Sequence, residues 1–401
     1  MTFNDFHFEP ELIEGLLSMN FEKPTPIQEQ AIPIILNNRD IIACAQTGTG
    51  KTAAYLLPLI NKIIQLKGES INTLIIVPTR ELAIQIDEAM QGFAYFAPVS
   101  AIAIYGGNDG TSFEQEKRAL IQGANIIIAT PGRLISHLNM GYVQISQLQH
   151  LVLDEADRML DMGFSDDLNK IIRFLPKQRQ TLMFSATMPS KIRELAQKIL
   201  IGPEEINIAL SKPAEGVLQG AYVVHNAQKM ELLKGLLKGK NSESILIFSS
   251  TKEKVKELEK ELLKGGFNAA GIHSDLEQDQ RNEVLRKFKS RKLQVLVATD
   301  ILSRGIDIDS ISLVINYDVP GDAEDYIHRV GRTARAESTG VAVTFVGLQD
   351  QYKFKKIENL IGNDIRKLQL PELLGPGPEY NPEKNEKRPP QRHIGNRKRN
   401  F

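Results

Sequence analysis

The sequence predicts an α/β protein of two domains, each with a parallel β-sheet flanked by helices. Short, nearly continuous apolar runs recur in both halves of the chain, and such runs are typical of strands covered by helices on both faces. The length of 401 residues exceeds what one ordinary hydrophobic core contains and is enough for two. The predicted strands lie within DIIACAQT, TLIIVPT, NIIIAT, LVLDEAD and TLMFSAT in the first half, and within SILIFSST, NAAGIH, QVLVATD, LVINYD and GVAVTFV in the second.

Helical stretches lie between these runs. AAYLLPLINKII follows the first run, and KEKVKELEKELLKGG follows SILIFSST. In the second stretch Ser250 and Glu253 have the spacing of a capping box, and Gly265 is placed near the end of the helix. Because strand and helix alternate, we expect ligands beyond the carboxyl ends of the strands, where several polar signatures follow the apolar runs.

A linker is predicted where residues 202–220 contain two prolines and no helical period. Residues 376–401 hold seven Lys or Arg against three Glu and are rich in Pro, Gly and Asn, so a disordered basic tail is expected. That tail either keeps the protein soluble or attracts nucleic acid weakly. The predicted organisation is an N-terminal domain at 1–208, a linker at 209–217, a second domain at 218–372 and the tail at 373–401.

Composition excludes several classes of protein. No apolar run approaches the roughly 20 residues that span a bilayer. The opening MTFNDFHFEP carries acids where a signal peptide carries positive charge, and the single Cys44 excludes an intrachain disulfide. We therefore expect a cytoplasmic protein with no membrane partner. Lys and Arg together number 49, as do Asp and Glu, so the overall charge does not indicate nucleic acid.

A phosphate-binding loop is predicted at AQTGTGKT, residues 45–52, which follows one apolar run and precedes a helical stretch. In such a loop the backbone N–H groups bind phosphates, Lys51 reaches the β and γ phosphates, and Thr52 binds magnesium. ATP and Mg²⁺ are therefore the expected cofactors. The usual pattern begins with Gly, where this chain has Ala45. The candidate loop residues are Ala45, Gln46, Thr47, Gly48, Thr49, Gly50, Lys51 and Thr52.

An acidic pair follows the apolar run of LVLDEAD, which delivers Asp154 and Glu155 to the end of a strand. We expect Asp154 to hold the magnesium ion, directly or through water, and Glu155 to orient or deprotonate the attacking water. Asp157 is interpreted only as an acidic residue that favours a helix N-terminus.

With these two motifs, PTRELA at 78–83, TPGR at 130–133 and SAT at 185–187, the sequence resembles the DEAD-box ATP-dependent RNA helicases of superfamily 2. The resemblance runs from residue 3 to about residue 347. RMLDMGF and the short basic tail resemble the bacterial RhlE-like group. The resemblance implies two RecA-like domains and an RNA helicase that hydrolyses ATP when RNA closes the domains, unwinding short duplexes or remodelling RNA–protein complexes. It also implies that Ser185 and Thr187 couple hydrolysis to strand separation.

An adenine-reading segment at residues 1–28 is implied by the same resemblance, through NFEKPTPIQ. The Gln28 amide offers a donor and an acceptor to the adenine edge, and Phe21 can stack on the ring. Thr25 belongs to the same motif, although it also fits a helix cap, and Phe3 is assigned to this site by resemblance alone. Asn20 stands where the family usually has Gly, and Asn tolerates left-handed backbone angles.

RNA contacts are implied along both domains, mainly to phosphate and sugar and therefore with little sequence specificity. Few aromatic residues lie in these segments, so no base-stacking platform is expected. Thr251 also fits a helix cap, and the paired glycines also fit a surface turn. The candidate RNA residues are Pro78, Thr79, Arg80, Gly106, Gly107, Thr130, Pro131, Gly132, Arg133, Thr251, Gln278, Arg281 and Thr299.

Arginines of the second domain are expected at the γ-phosphate. In YIHRVGRTARA, at 326–336, the resemblance makes Arg332 and Arg335 arginine fingers supplied in cis. It makes His328 and Arg329 interdomain supports. The same resemblance places Gly305 and Asp307, of ATDILSRGIDI, beside the nucleotide and on its ribose.

Three alternative functions stay open at this stage. One is an ATP-gated RNA clamp without productive unwinding, which would carry identical motifs. The second is a P-loop kinase or GTPase, although the motifs HRVGRTAR and PTPIQ argue against it. The third is a DNA-directed helicase. The sequence does not identify the RNA substrate, so ribosome-assembly and RNA-decay complexes are both candidate partners of what we expect to be a monomer.

Overall fold

The computed structural model describes residues 1–45, 48–66, 70–106, 110–208, 217–240, 244–299, 311–333 and 340–385, without the side chains of residues 110–112, 278, 324, 384 and 385. The described residues form two compact units, one before residue 209 and one from residue 217 onward. No described helix is both long and apolar enough to cross a membrane.

The first unit contains a seven-stranded sheet in the order β3-β4-β2-β5-β6-β1-β7. Every neighbouring pair is parallel, which confirms the predicted sheet type. Successive strand residues alternate between two hydrophobic clusters, with Ile41 and Ala43 in one and Ile42 in the other, so both faces of the sheet are covered. The strands are β1 Ile41–Cys44, β2 Thr73–Ile76, β3 Ala101–Ile104, β4 Ile126–Ala129, β5 His150–Leu153, β6 Gln180–Ser185 and β7 Glu204–Asn207.

The second unit repeats this architecture with a sheet in the order β10-β11-β9-β12-β13-β8-β14, again parallel at every pairing. The two RecA-like sheets predicted from the sequence are therefore confirmed. The strands are β8 Val217–Val223, β9 Ile245–Phe248, β10 Ala269–Ile272, β11 Val295–Ala298, β12 Leu313–Asn316, β13 Gly340–Val346 and β14 Arg366–Leu368.

Helices connect the strands as the alternating pattern predicts. In the first unit they are α1 Pro10–Ser18, α2 Pro26–Leu36, α3 Lys51–Leu66, α4 Arg80–Phe93, α5 Gly110–Gln122, α6 Pro131–Asn139, α7 Ala156–Asp161, α8 Ser165–Phe174 and α9 Ser190–Ile199. In the second unit they are α10 Lys229–Leu237, α11 Lys252–Lys264, α12 Gln278–Lys289, α13 Ala323–Val330 and α14 Gln351–Ile361.

All ten apolar runs contain strands, and the part of the chain that the structure describes has four further strands that were not predicted. Three of the four, β3, β7 and β14, lie at the edges of their sheets, and β8 lies next to an edge. Their residues are largely half-buried or exposed. Polar residues are tolerated in β7, β8 and β14, where they interrupt the continuous apolar signal of a central strand. The strand β3 is an exception, since its four residues are all Ala or Ile.

Of the two caps that the sequence suggests for α11, Ser250 and Thr251, the structure has Thr251. Thr251 is the N-cap, and its hydroxyl oxygen accepts the Lys254 N–H at 3.3 Å. Ser250 instead donates its hydroxyl to the Asp318 carboxylate at 2.8 Å. The capping box of Ser250 and Glu253 was therefore wrong, because a carboxylate distant in sequence competes for the Ser250 hydroxyl.

The predicted disordered tail begins too early. Residues 370–385, here called the C-terminal strap, are packed against the second unit and include two 3₁₀ helices, Glu372–Leu374 and Pro382–Asn385. Leu370 and Leu374 join the hydrophobic core, and a side chain at Gly377 would lie 2.2 Å from the Val223 carbonyl oxygen. The prediction relied on composition, which does not show these specific contacts; residues 386–401 lie outside the described residues.

Polar side chains of α14 hold the C-terminal strap. Gln351 donates to the Glu379 carbonyl at 2.7 Å and accepts the Asn381 N–H at 2.6 Å. The buried Glu358 carboxylate accepts the Tyr380 hydroxyl at 2.8 Å and the Ile365 N–H at 2.9 Å. A buried carboxylate requires such donors. Glu358 of α14 therefore connects this helix to the C-terminal strap and to the start of strand β14.

Replacing Tyr380 with Phe should lower the unfolding free energy of the second unit by about 1–3 kcal/mol, because Glu358 loses a donor in a buried position. Chemical denaturation of the full chain measures this loss. Tyr352→Phe is the control, because Tyr352 lies on α14, the helix that carries Glu358, and its side chain is 37% exposed. Equal stability of both variants and the wild type would mean that this bond does not hold the strap.

Candidate nucleotide and RNA sites

The predicted nucleotide motifs of the first unit meet at one edge of its sheet. The phosphate loop follows β1, the acidic pair follows β5 and SAT lies at the end of β6, and these three strands are neighbours in the order β5-β6-β1. Parallel strands present their carboxyl ends at the same edge. Two contacts join the loops directly, from the Ala45 N–H to the Ser185 carbonyl at 3.1 Å and from the Cys44 thiol to the Ala186 carbonyl at 3.5 Å.

The phosphate loop carries its lysine at the start of α3. The Lys51 ammonium donates to the Ala45 carbonyl oxygen at 2.8 Å, across the loop. Gly48 and Gly50 have φ angles of 83° and 92°, which favour glycine. Ala45, the departure from the usual first Gly, is buried within the hydrophobic core. Gln46 and Thr47 lie outside the described residues.

The predicted adenine segment touches the phosphate loop through the first turn of α2. The Thr25 hydroxyl donates to the Thr49 carbonyl at 2.8 Å, and the Gln28 amide nitrogen donates to the Gly50 carbonyl at 3.1 Å. The Gln28 side-chain oxygen accepts the Thr25 N–H at 2.9 Å, so Gln28 also serves as part of the helix cap. With Gln28 only 2% exposed, its amide is held against the loop.

Two aromatic residues assigned to the adenine site belong to an aromatic cluster. Phe3 is buried, its ring centroid lies 6.2 Å from that of Phe21, and Phe21 packs edge-on against Phe93 at 5.2 Å. Asn20 has a φ of 57°, the left-handed conformation that its position in the motif suggested.

The acidic pair is built asymmetrically. Asp154 is 3% exposed; its Oδ2 accepts the Tyr55 hydroxyl and its Oδ1 accepts the Glu155 N–H, both at 2.9 Å. Burial raises the pKa of the Asp154 carboxyl to about 6, and the nearby Lys51 ammonium opposes this rise. Glu155 has a φ of 50°, and its carboxylate lies 3.3 Å from an Arg158 guanidinium nitrogen.

Asp157 connects the acidic motif to SAT. One oxygen of its carboxylate accepts the Ala186 N–H at 3.2 Å, the Thr187 N–H at 2.9 Å and the Thr187 hydroxyl at 2.9 Å. The Ser185 hydroxyl donates to the Thr187 carbonyl at 2.7 Å. This role of Asp157 is not apparent from the sequence, because nothing in the local pattern indicates that β5 and β6 are neighbours.

Metal ligands are predicted at Thr52 and Asp154. Both supply hard oxygen donors, which Mg²⁺ prefers. The Tyr55 hydroxyl donates to Asp154 and is close to the Thr52 side chain one helical turn earlier, and the donor set fits this ion. Among the described residues there is no cluster of three or more His, Cys, Asp or Glu that would hold a metal by protein ligands alone.

The predicted RNA segments of the first unit lie on the other half of the same sheet edge. Residues 78–80 follow β2, Gly106 follows β3 and residues 130–133 follow β4, and these strands are neighbours in the order β3-β4-β2. Thr79 caps α4 by accepting the Leu82 N–H at 3.3 Å. Thr130 is the N-cap of α6, with Pro131 in its first turn, and Gly132 is exposed. Gly107 lies outside the described residues.

Aromatic rings support both arginines of this surface. The Arg80 guanidinium carbon lies 4.5 Å from the centroid of Tyr105, and that of Arg133 lies 4.5 Å from the centroid of Phe113. Arg133 also pairs with Glu116 at 2.7 Å. Within the described residues, Nε and Nη1 of Arg80 and Nη2 of Arg133 are buried without a hydrogen-bond partner. Each ring thus packs against the guanidinium group of a predicted RNA residue.

The second unit places its RNA candidates at the corresponding edge. Thr251 and Thr299 follow the neighbouring strands β9 and β11, and Thr251 is the cap described above. Arg281 donates to the Ser274 carbonyl at 2.9 Å. Gln278 begins α12, and its side chain lies outside the described residues.

Asp318 organises this edge. It accepts the Ser250 N–H at 3.0 Å, and its carboxylate lies 3.3 Å from the Lys229 ammonium and 3.0 Å from that of Lys254. Burial raises its pKa, but these donors outweigh burial and hold the pKa well below its usual range.

Arg329 braces its own unit. It is buried, donates to the Asn316 side chain at 3.1 Å and to the Asp318 carbonyl at 2.8 Å, and lies over the Phe248 ring at 4.9 Å. These contacts lie within the second unit and are not apparent from the sequence, and the interdomain role of Arg329 stays a prediction. His328 and Arg332 are half-buried near the end of α13. Gly305, Asp307 and Arg335 lie outside the described residues.

Comparison with protein families gives two matches. A family described as DEAD/DEAH box helicase matches residues 25–195, and one described as Helicase conserved C-terminal domain matches residues 228–337. These matches cover the phosphate loop, the acidic pair and the arginine segment.

Relatives and solved structures extend over most of the chain. The chain is 42% identical over 370 residues to the ATP-dependent RNA helicase CshA of Listeria monocytogenes, covering 92% of this chain and 70% of the relative. It is 41% identical over 374 residues to the DEAD-box ATP-dependent RNA helicase CshA of Bacillus subtilis, covering 93% and 75%. Since these relatives are CshA proteins, the resemblance to the RhlE-like group is not confirmed.

Two solved structures share the fold. Dbp5 of S. cerevisiae bound to RNA and ADP BeF3 has a TM-score of 0.83 and 31% identity, over 92% of this chain and 95% of that one. Mss116p bound to ssRNA and AMP-PNP has a TM-score of 0.82 and 28% identity, over 93% and 81%.

Replacing Thr25 with Val should weaken ATP binding about 5-fold, the equivalent of about 1 kcal/mol for a lost hydrogen bond to the phosphate loop. Binding of a fluorescent ATP analogue measures the change. Thr73→Val is the control, since that hydroxyl bonds Asn72 at the opposite edge of the sheet. Unchanged affinity in Thr25→Val would show that this contact does not shape the loop.

Proposed function

The chain belongs to the DEAD-box helicase family and is an ATP-dependent RNA helicase, and we propose that ATP and RNA together drive closure of its two units to open short RNA duplexes. One observation carries this proposal. A single edge of the first sheet presents the nucleotide motifs on β5, β6 and β1 and the predicted RNA segments on β3, β4 and β2. ATP and RNA would then bind the same rigid sheet side by side.

ATP hydrolysis is assigned to the residues of the first edge. Lys51 would exchange its bond to Ala45 for the β and γ phosphates, and Glu155 would position the attacking water. Thr52 and Asp154 would hold Mg²⁺, which neutralises charge on the phosphates. Gln28 and Thr25 would transmit the presence of the nucleotide to the loop through their bonds to Gly50 and Thr49.

RNA binding is assigned to phosphate and sugar contacts. Arg80 and Arg133 are held over aromatic rings at the edge, and the caps at Thr79 and Thr130 place helix N-termini beside them. These groups do not read base edges, so binding would be largely independent of sequence. Thr251 and Thr299 would extend the same track on the second unit.

The binding of ATP and the binding of RNA would be coupled because both would depend on closure of the two units. If ATP and RNA each contact both units, each favours the closed form and each raises the affinity for the other. We assign Arg332 and Arg335 to the γ-phosphate in that form, with Gly305 and Asp307 beside the nucleotide. Asp157 and Thr187 would relay hydrolysis to strand separation, supported by the bonds between them.

The setting of this activity is also a proposal. The lone, buried Cys44 suits a reducing compartment, which supports a cytoplasmic location. One chain carries every predicted motif, which supports a monomer. Ribosome-assembly and RNA-decay complexes are the partners to test first, because both present short RNA duplexes.

Phosphate release from ATP should rise strongly with single-stranded RNA and little with single-stranded DNA. Glu155→Gln should keep ATP binding and lose at least about 100-fold in turnover, because the water loses its base. The measurement compares both proteins with and without each nucleic acid. Normal turnover in Glu155→Gln would remove Glu155 from this role, and RNA-stimulated hydrolysis without strand displacement would favour an RNA clamp.

Arg335→Ala should reduce RNA-stimulated hydrolysis by about 10³-fold or more, because the transferring phosphoryl group loses a stabilising charge. Steady-state ATPase assays at saturating RNA measure the loss, and RNA binding to the first unit should persist. Arg173→Ala, at an exposed position on α8, is the control. Full stimulation in Arg335→Ala would exclude the finger assignment.

A further inference from the structure

Tyr55 is a buried tyrosine that none of the motifs accounts for. It lies on α3 one turn after Thr52, is 0% exposed, and packs against Phe184 with ring centroids 5.1 Å apart. A phenylalanine would fill this space equally well. A buried hydroxyl costs free energy unless it is hydrogen-bonded, so the oxygen needs its own explanation.

The hydroxyl lies beside the two predicted magnesium ligands. It donates to Asp154 Oδ2 at 2.9 Å and is close to the Thr52 side chain, one helical turn earlier. A carboxylate only accepts hydrogen bonds, so the phenolic hydrogen is directed at Asp154. The Tyr55 oxygen therefore sets the orientation of the Asp154 carboxylate next to Thr52.

The bonds leave Asp154 able to face an ion. A carboxylate oxygen has two lone-pair directions, and Tyr55 takes only one of those on Oδ2. The Glu155 N–H fixes the other Asp154 oxygen. The carboxylate is thus held at both ends before any ion binds.

We propose that Tyr55 is a positioning residue for Mg²⁺–nucleotide binding, which holds the Asp154 carboxylate in the orientation that one ion bound beside Thr52 requires. The inference rests on the metal roles assigned above to those two residues. Mg²⁺ demands near-octahedral geometry with short bonds, so small rotations of either side chain weaken its binding. Groups that orient metal ligands in this way typically change metal affinity by 10–100-fold when they are removed.

Tyr55→Phe tests this directly, because it removes one oxygen atom and keeps the packing. The probe is a fluorescent ADP analogue, bound to the full chain at increasing Mg²⁺ concentration and also in EDTA. We expect the Mg²⁺ concentration for half-maximal binding to rise about 10-fold, with metal-free affinity within 2-fold of the wild type. An unchanged Mg²⁺ requirement, or an equal loss of affinity in EDTA, would overturn the proposal.

A matched control separates positioning from structural support. Tyr326 is also 0% exposed, and its hydroxyl donates to the Gln219 side chain at 3.0 Å in the second unit. Tyr326→Phe should reduce thermal stability like any buried hydroxyl deletion and leave the Mg²⁺ requirement unchanged. If both variants shift the Mg²⁺ requirement equally, Tyr55 acts only through general stability and the proposal fails.

Asp154→Asn distinguishes failure of this inference from failure of the metal assignment. Asp154→Asn should itself raise the Mg²⁺ requirement, and adding Tyr55→Phe should raise it little further, because Tyr55 acts through Asp154. If the two substitutions raised the Mg²⁺ requirement by fully additive amounts, Tyr55 would not act through Asp154. If wild-type binding does not depend on Mg²⁺, or Asp154→Asn leaves the dependence unchanged, the metal assignment fails first.

Discussion

The arrangement of both candidate sites depends on one constraint, the common direction of all paired strands in each sheet. Parallel strands need helical crossovers, and every crossover returns the chain to the same end of the sheet. The segments after the strands therefore form a single row. Motifs separated by more than 100 residues, such as Ala45 and Ser185, become hydrogen-bonded neighbours in that row.

Lys51 and Asp154, at the nucleotide motifs of this row, are held by protein partners. Lys51 is bonded to the Ala45 carbonyl and Asp154 to Tyr55, so ligand binding at these two residues exchanges one contact for another. The two buried aspartates show how the environment sets their chemistry. Burial dominates at Asp154 and raises its pKa, whereas two ammonium groups and an amide N–H outweigh burial at Asp318 and lower its pKa. Asp318 thereby fixes the loop that carries Thr251.

Residues outside the familiar motifs support many of the functional side chains. Tyr105 and Phe113 orient the two arginines of the RNA segments, Tyr55 holds Asp154, and Arg329 braces the strand ends of the second unit. Each acts on a residue that is adjacent in space and not marked by local sequence pattern. Such support keeps long polar side chains in one orientation, which lowers the entropy lost when a ligand binds.

The sequence alone determined the sheet type, the ten buried strands, the phosphate loop and the acidic pair, because burial on both faces and phosphate binding each demand a local pattern of residues. It did not determine β7, β8 and β14, where polar residues interrupt that pattern, or the C-terminal strap, whose order depends on Gln351 and Glu358. The choice of Thr251 over Ser250 as the cap of α11 and the link from Asp157 to Thr187 were also decided by tertiary structure. For the strap, the cap and the link the reason is the same: the partner of each polar group is set by which strands and helices become neighbours, and strand order is not written in any local segment.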